Sequence, residues 1–288
     1  MKVCARCQNE VVEAEWLCAS CGHEPPKLNG FYAFAPDLAE ANEGFEADYF
    51  ANLALIEAGN FWFQSRNRLI VWALQRYFSE AKNFLEIGCG TGFVLAGIRQ
   101  TFPALSLQGS EIFSAGLGFA AGRLPGVDLF QMDARRIPFR DEFDVIGAFD
   151  VLEHISADEE VLAQVHQAIR PGGGLLVTVP HHPFLWSAVD EYARHVRRYR
   201  TRELKEKIER AGFSVLRITS FVSLLLPLLI VSRFRKQEAG KQLDTSEVQV
   251  GRLANATLER ILDFERMMIR AGLSLPAGGS LLVAAQRR

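Results

Sequence analysis

The sequence has no long apolar leader, no internal repeat, no extended low-complexity tract and almost no net charge, and each absence removes a class of protein. The first sixteen residues, MKVCARCQNEVVEAEW, contain no apolar run of signal-peptide length. The expected setting is therefore the reducing cytosol, where disulfides are rare. Lys and Arg total 32 against 34 Asp and Glu, a formal net charge of −2, which argues against a nucleic-acid coat. With 49% apolar and 23% charged residues in 288 positions, the chain is neither disordered nor collagen-like. It is long enough to bury a core without disulfide staples.

The charge is unevenly spread. Residues 1–60 carry a net of −7 and residues 191–240 a net of +7, so an anionic partner should meet the second region and avoid the first.

Four of the five cysteines form two pairs, Cys4-Ala-Arg-Cys7 and Cys18-Ala-Ser-Cys21, with Gly22 after the second. Each C-x2-C turn aims two thiolates at one point, and two such turns complete a tetrahedral sulfur site for structural zinc in a ribbon over residues 1–28. His23 is an alternative fourth ligand. The segment from Asn29 to Gly59 has no clean period and reads as a connector. Arg66–Phe78 has helical spacing and should pack against the next domain, the whole stretch 29–80 preceding a catalytic unit at 81–288.

From Asn83 the pattern alternates. Short apolar runs at Phe84–Ile87, Leu105–Gln108, Val127–Phe130, Phe143–Phe149 and Leu175–Val179 are separated by stretches of helical length. That alternation predicts an α/β fold with a mostly parallel sheet and helices on both faces. A helix at Thr201–Ala211, a strand at Phe213–Ile218 and a last strand at Ser280–Ala285 follow, the last after an insertion at 219–275.

The run Glu86-Ile87-Gly88-Cys89-Gly90-Thr91-Gly92 joins the first of these strands to a helix. Glycines there let a ligand approach the backbone while helix N–H groups remain available. The spacing is G-x-G-x-G, because Phe93 stands where a dinucleotide fingerprint has its third glycine. Glu86 would repel a pyrophosphate and suits the ammonium of an amino acid, so the expected ligand is a nucleoside carrying an amino acid. Glu111, at the next strand end, is placed to fork both ribose hydroxyls. Asp133 is placed to accept from an adenine amine, with Met132 against the ring. Cys89 is a small residue within the turn and receives no nucleophilic role.

With Phe149-Asp150-Val151-Leu152-Glu153-His154 and Ile169-Arg170-Pro171-Gly172-Gly173-Gly174 following in order, the chain resembles the class I S-adenosylmethionine-dependent methyltransferases over about residues 80–218 and the final strand. The resemblance implies a Rossmann-like, seven-stranded sheet whose last strand is antiparallel, with the cofactor over the carboxyl ends of the first strands. Asp150 joins the cofactor-binding set on this basis. The run Asp150-Val151-Leu152-Glu153-His154 is also similar to the small-molecule and lipid branch, including ubiquinone-pathway O-methyltransferases. Some of those enzymes hold a divalent metal on an acid-x-x-Glu-His run. Here Mg2+ on Asp150, Glu153 and His154 competes with a plain capping box, Asp150 as N-cap and Glu153 reaching back, which is the preferred reading.

Methyl transfer from a sulfonium needs donor and acceptor held in line, and an oxygen or nitrogen acceptor also needs a base. The candidates are His154, His181, His182 and His195. The stretch His195-Val196-Arg197-Arg198-Tyr199 resembles poorly characterised bacterial methyltransferases of the branch. Its arginines either clamp an acceptor phosphate or carboxylate, or pair with Glu203 and Glu206 at a helix entry.

The expected activity is methyl transfer to a small or lipid-linked acceptor. A ribosomal or transfer RNA methyltransferase would need a basic ribbon, against the −7 of residues 1–60. A non-catalytic cofactor-binding scaffold is the other alternative. The insertion opens with the apolar run Phe221–Val231, which as a helix would span about 17 Å, short of a ~30 Å hydrocarbon core. It either packs on the catalytic domain or lies on the inner membrane face through residues 219–236, with Arg233, Arg235 and Lys236 toward anionic headgroups.

Overall fold

The computed structural model describes residues 1–12, 16–39, 47–238 and 251–288. Strands β1 (Lys2–Val3) and β2 (Glu10–Val11) pair antiparallel in a two-stranded ribbon, followed by the hairpin β3 (Lys27–Leu28) and β4 (Phe31–Ala33). Helices α1 (Ala47–Ile56) and α2 (Phe61–Tyr77) lead into β5 (Asn83–Ile87). Then come α3 (Phe93–Thr101), β6 (Ser106–Glu111), α4 (Ser114–Arg123), β7 (Asp128–Gln131), β8 (Phe143–Phe149), α5 (Asp158–Ala168) and β9 (Ile169–Pro180). The chain finishes with α6 (Ala188–Tyr192), α7 (Thr201–Arg210), β10 (Phe213–Phe221), α8 (Leu226–Glu238), α9 (Arg252–Arg270) and β11 (Ser280–Arg287).

One sheet runs in the order β10-β11-β9-β8-β5-β6-β7-β4-β3. Strands β9, β8, β5, β6 and β7 are parallel, and β11 lies antiparallel between β9 and β10. These are the seven expected strands. Two more extend the sheet from the stretch around the expected ribbon boundary: β4 pairs parallel with β7, and β3 closes the edge. The Gln131 side chain secures that junction, accepting from Ala35 N–H at 3.0 Å and donating to the Ala35 carbonyl at 2.8 Å. A two- or three-residue strand carries too little periodicity to be read from sequence.

The central strands are buried on both faces, as parallel strands between helix layers must be. On one face Leu85, Ile87, Ile146 and Val177 pack with Val161 and Leu162 of α5 and Leu204 and Ile208 of α7. On the other, Phe84, Val145 and Leu176 pack with Leu69, Ile70 and Ala73 of α2 and Leu95 and Ile98 of α3.

The apolar run 221–231 is not one helix. Phe221 ends β10, Val222 turns with a φ of 58°, and α8 starts only at Leu226. Pro227 therefore sits in the first turn, where its missing N–H has no intrahelical acceptor to lose. The side chains of Arg233, Arg235 and Lys236 lie outside the described residues. Helix α9 packs on α2: Arg68 pairs with Asp263 at 2.8 Å and with Glu259, and Asn255 Oδ1 accepts from Phe61 N–H at 2.9 Å. None of the described helices is long and apolar enough to cross a membrane.

Candidate active site

The site is built on the turn from β5 into α3. Gly88 has a φ of +69° and a Cβ there would stand 2.5 Å from the Val151 side chain, so only glycine lets the chain after β8 close over the turn. Gly92, with a φ of +75°, lies tight against Ala120 of α4 and against Leu124 just after it, at 3.1 and 2.9 Å from a Cβ there. Gly90 N–H donates to Glu111 Oε2 at 3.0 Å, while Glu111 Oε1 accepts from Ile112 N–H at 2.8 Å and from Phe113 N–H at 3.3 Å. Glu111 thus ties the glycine turn to the end of β6. Burial raises its carboxyl above the usual range, and the three backbone donors only partly oppose that rise.

Glu86 is buried, and its Oε2 has no hydrogen-bond partner. Desolvation raises its carboxyl well above the usual range, opposed by the nearby Arg66 charge. Asp133 is paired with Arg135 at 2.8 Å. Met132 is 2% exposed and belongs to the core, its N–H donating to the Glu111 carbonyl at 3.1 Å. Asp150 adopts a left-handed φ of 58°, and its carboxylate stands 2.6 Å from Arg66 Nε. Cys89 is buried, which pushes its thiol well up and leaves it unsuited to nucleophilic work.

Several residues around the turn come from stretches read as connector and packing helix. Phe50 of α1 lies over Gly90 and Gly116. The buried carboxylate of Glu57 accepts from the Thr91 hydroxyl at 2.8 Å and pairs with Arg123 at 2.6 Å. Arg66, on the buried face of α2, also donates to the Phe149 carbonyl at 3.0 Å. A charged residue inside an apolar helical face was the available signal for Arg66; Glu57 gave none.

The four candidate histidines separate into two groups. His154 and His195 meet edge to face, with ring centroids 4.8 Å apart. His181 and His182 stack at 3.5 Å, beside Phe184. Both His181 ring nitrogens are engaged, Nδ1 with the Ser220 hydroxyl at 3.0 Å and Nε2 with the Thr201 hydroxyl at 3.1 Å. Burial pushes its pKa down to about 4, as it does for His154.

The expected capping box is absent. Leu152–His154 is a single 3-10 turn with no side-chain cap, and Glu153 is fully buried with neither oxygen hydrogen-bonded. Desolvation, with Asp150 adding to it, raises the Glu153 carboxyl well above its usual range. The Asp150, Glu153, His154 metal set does not fit either, because Arg66 already neutralises Asp150.

The arginines of the His195–Tyr199 stretch fasten the chain to itself. Arg198 pairs with the buried Asp190 at 2.6 Å, and Arg197 pairs with Asp158 at 2.7 Å. The Tyr199 hydroxyl donates to Asp158 at 2.6 Å. The pairing with Glu203 and Glu206 expected from sequence goes instead to Lys207 and Arg202.

In the ribbon, Cys4 Sγ stands 3.7 Å from Cys21 Sγ and Cys7 Sγ 3.6 Å from Cys18 Sγ, with all four sulfurs within 4.8 Å of one another. His23 contributes its backbone carbonyl, which accepts from Cys18 N–H at 2.9 Å. The ribbon is seated on the sheet domain: Val3 N–H donates to the Pro138 carbonyl, and Trp16 packs edge-on against Phe34 and Phe139 at 4.5 and 5.3 Å.

The sheet order, the antiparallel β11 and the glycine turn with acids at successive strand ends define a Rossmann-like methyltransferase fold. A family model described as a methyltransferase domain matches residues 59–218, and the chain belongs to that family. A probable S-adenosylmethionine-dependent methyltransferase of Mycolicibacterium smegmatis is 28% identical over 159 residues, 54% of this chain and 60% of the relative. Phthiotriol/phenolphthiotriol dimycocerosates methyltransferase 1 of Mycobacterium ulcerans is 30% identical over 167 residues, 56% of this chain and 61% of the relative. The chain thus matches about three fifths of the length of these curated relatives. Phosphoethanolamine N-methyltransferase 2 of Haemonchus contortus, solved with S-adenosyl-L-methionine, superposes with a TM-score of 0.56 at 18% identity, covering 87% of this chain and 59% of that one. That likeness is one of fold.

Proposed function

We propose that the chain transfers a methyl group from S-adenosyl-L-methionine to a small or lipid-linked acceptor. The observation that carries the cofactor half is the unpartnered Glu86 oxygen beside the Gly88–Gly92 turn. A buried carboxylate in that condition fits an ammonium group. Glu111 offers its carboxylate to ribose hydroxyls, and Asp133 lies at the next strand end for the adenine amine. When bound, the cofactor supplies an electrophilic methyl on sulfur. The chain's own work is to orient it, exclude water and present the acceptor in line. In the ribbon, the four cysteines suit structural zinc, since four sulfur ligands leave no open coordination position.

A lipid-linked acceptor is supported by two features. The name of the M. ulcerans relative specifies a lipid substrate for that protein. Leu224, Leu228 and Val231 are exposed near and on α8, as an interfacial segment requires. The test is transfer of labelled methyl groups to lipid and aqueous extracts in parallel. Label in the organic phase is expected. Cofactor binding without transfer to either extract would leave the scaffold reading.

A further inference from the structure

Glu153 is 0% exposed, and neither of its carboxylate oxygens makes a hydrogen bond. The guanidiniums whose field reaches it are engaged elsewhere, Arg66 with Asp150 and Arg198 with Asp190, each at 2.6 Å. Two imidazoles stand beside it. His195 Nε2 lies 4.0 Å from Glu153 Oε1, and the ligand atoms of Glu153, His154 and His195 all fall within 4.8 Å of one another.

The His195 ring is oriented from behind. His195 Nδ1 is 2.9 Å from Asp190 Oδ1, and a carboxylate there accepts a hydrogen bond from Nδ1–H, which leaves the Nε2 lone pair facing Glu153. Asp190 is itself fixed by Arg198 and by Ser187 N–H at 2.9 Å. The His154 ring meets that of His195 edge to face, with centroids 4.8 Å apart. An imidazole anchored through one nitrogen, with a second imidazole and an unsatisfied buried carboxylate beside it, makes a preorganised cation site.

We propose that Glu153, His154 and His195 bind a divalent first-row cation, the class that two imidazoles and a carboxylate select. This set differs from the acid-x-x-Glu-His run: Arg66 removes Asp150, and the third ligand comes from the segment after α6. A bound ion would clasp that segment to the turn after β8. The inference holds whatever the acceptor is.

The test titrates Mn2+ into the full chain with its ribbon loaded with zinc. Mn2+ disfavours thiolates, so the cysteine site does not compete. Electron paramagnetic resonance should find one bound Mn2+, with pulsed spectra showing imidazole nitrogen couplings. Folded His195→Ala should lose at least tenfold in affinity, while Cys4→Ser should bind Mn2+ as the wild type does. Wild-type protein that binds no Mn2+, or binds it without nitrogen couplings, overturns the proposal. So does undiminished affinity in folded His195→Ala. If that variant fails to fold, the wild-type nitrogen couplings decide.

Discussion

Arg66 Nε stands 2.6 Å from the Asp150 carboxylate, joining a helix that precedes the first central strand to the turn that follows the fourth. Arg66 is buried, and its charge also opposes the desolvation of Glu86. One side chain thereby brings positive charge to the carboxyls at the end of β5 and just after β8.

Removing one partner of a buried ion pair leaves the other uncompensated. Arg66→Met should destabilise the protein by about 3 kcal/mol. Arg66→Met with Asp150→Asn should cost less than the two single changes added together. A double-mutant cycle in urea reads the coupling, and additive costs would remove the pair from this role.

Glu111→Ala deletes the acceptor for Gly90, Ile112 and Phe113 as well as the expected ribose contacts. Charge-assisted hydrogen bonds contribute roughly 1.5–3 kcal/mol each, so cofactor affinity should fall at least tenfold. Calorimetry on the folded variant checks this, and unchanged affinity would refute the assignment.

Trp16 belongs to the main core beside Phe139 and Phe143. Zinc removal should therefore lower the melting temperature of the sheet domain itself, rather than only fraying a separate ribbon. Cys4→Ser should have the same effect and should reduce zinc content by elemental analysis. A melting temperature indifferent to chelation would show that the ribbon is energetically separate.

His181 has a folded pKa lowered to about 4 from an ordinary 6.5, with burial as the main cause and His182 and Arg198 adding to it. As pH falls from 6.5 toward 4, the unfolded chain takes up a proton at this position and the folded chain does not. Stability is thus lost across that window. Melting curves of wild type and His181→Gln should diverge least near pH 4 and most above 6.5. A constant difference would sink the assignment.

Leu225 is buried, whereas Leu228 is 60% exposed. If the segment meets lipid, Leu228→Glu should reduce co-sedimentation with anionic liposomes and leave cofactor affinity intact. Wild-type protein remaining in the supernatant at low salt would remove the membrane contact.

The alternation of apolar runs from Phe84 onward specified the central sheet and its helices, because buried parallel strands must be continuously apolar. The glycine turn and the acids Glu86 and Glu111 were legible for a similar reason, since residue type and position along one strand fix where they sit. The paired cysteines were legible through their spacing. What depends on long-range approach was not. The edge strand β4, Phe50 over Gly90, the Glu57 contact with Thr91 and the Arg66 pair all join residues far apart in sequence. The meeting of His154 with His195, and the exclusion of His181 from that group, depends on how the segment after β9 folds back over the turn after β8. Local pattern determined the elements and the chemistry each one carries. Which buried charges meet was decided only by tertiary packing, because desolvation makes each one require a partner that no local periodicity supplies.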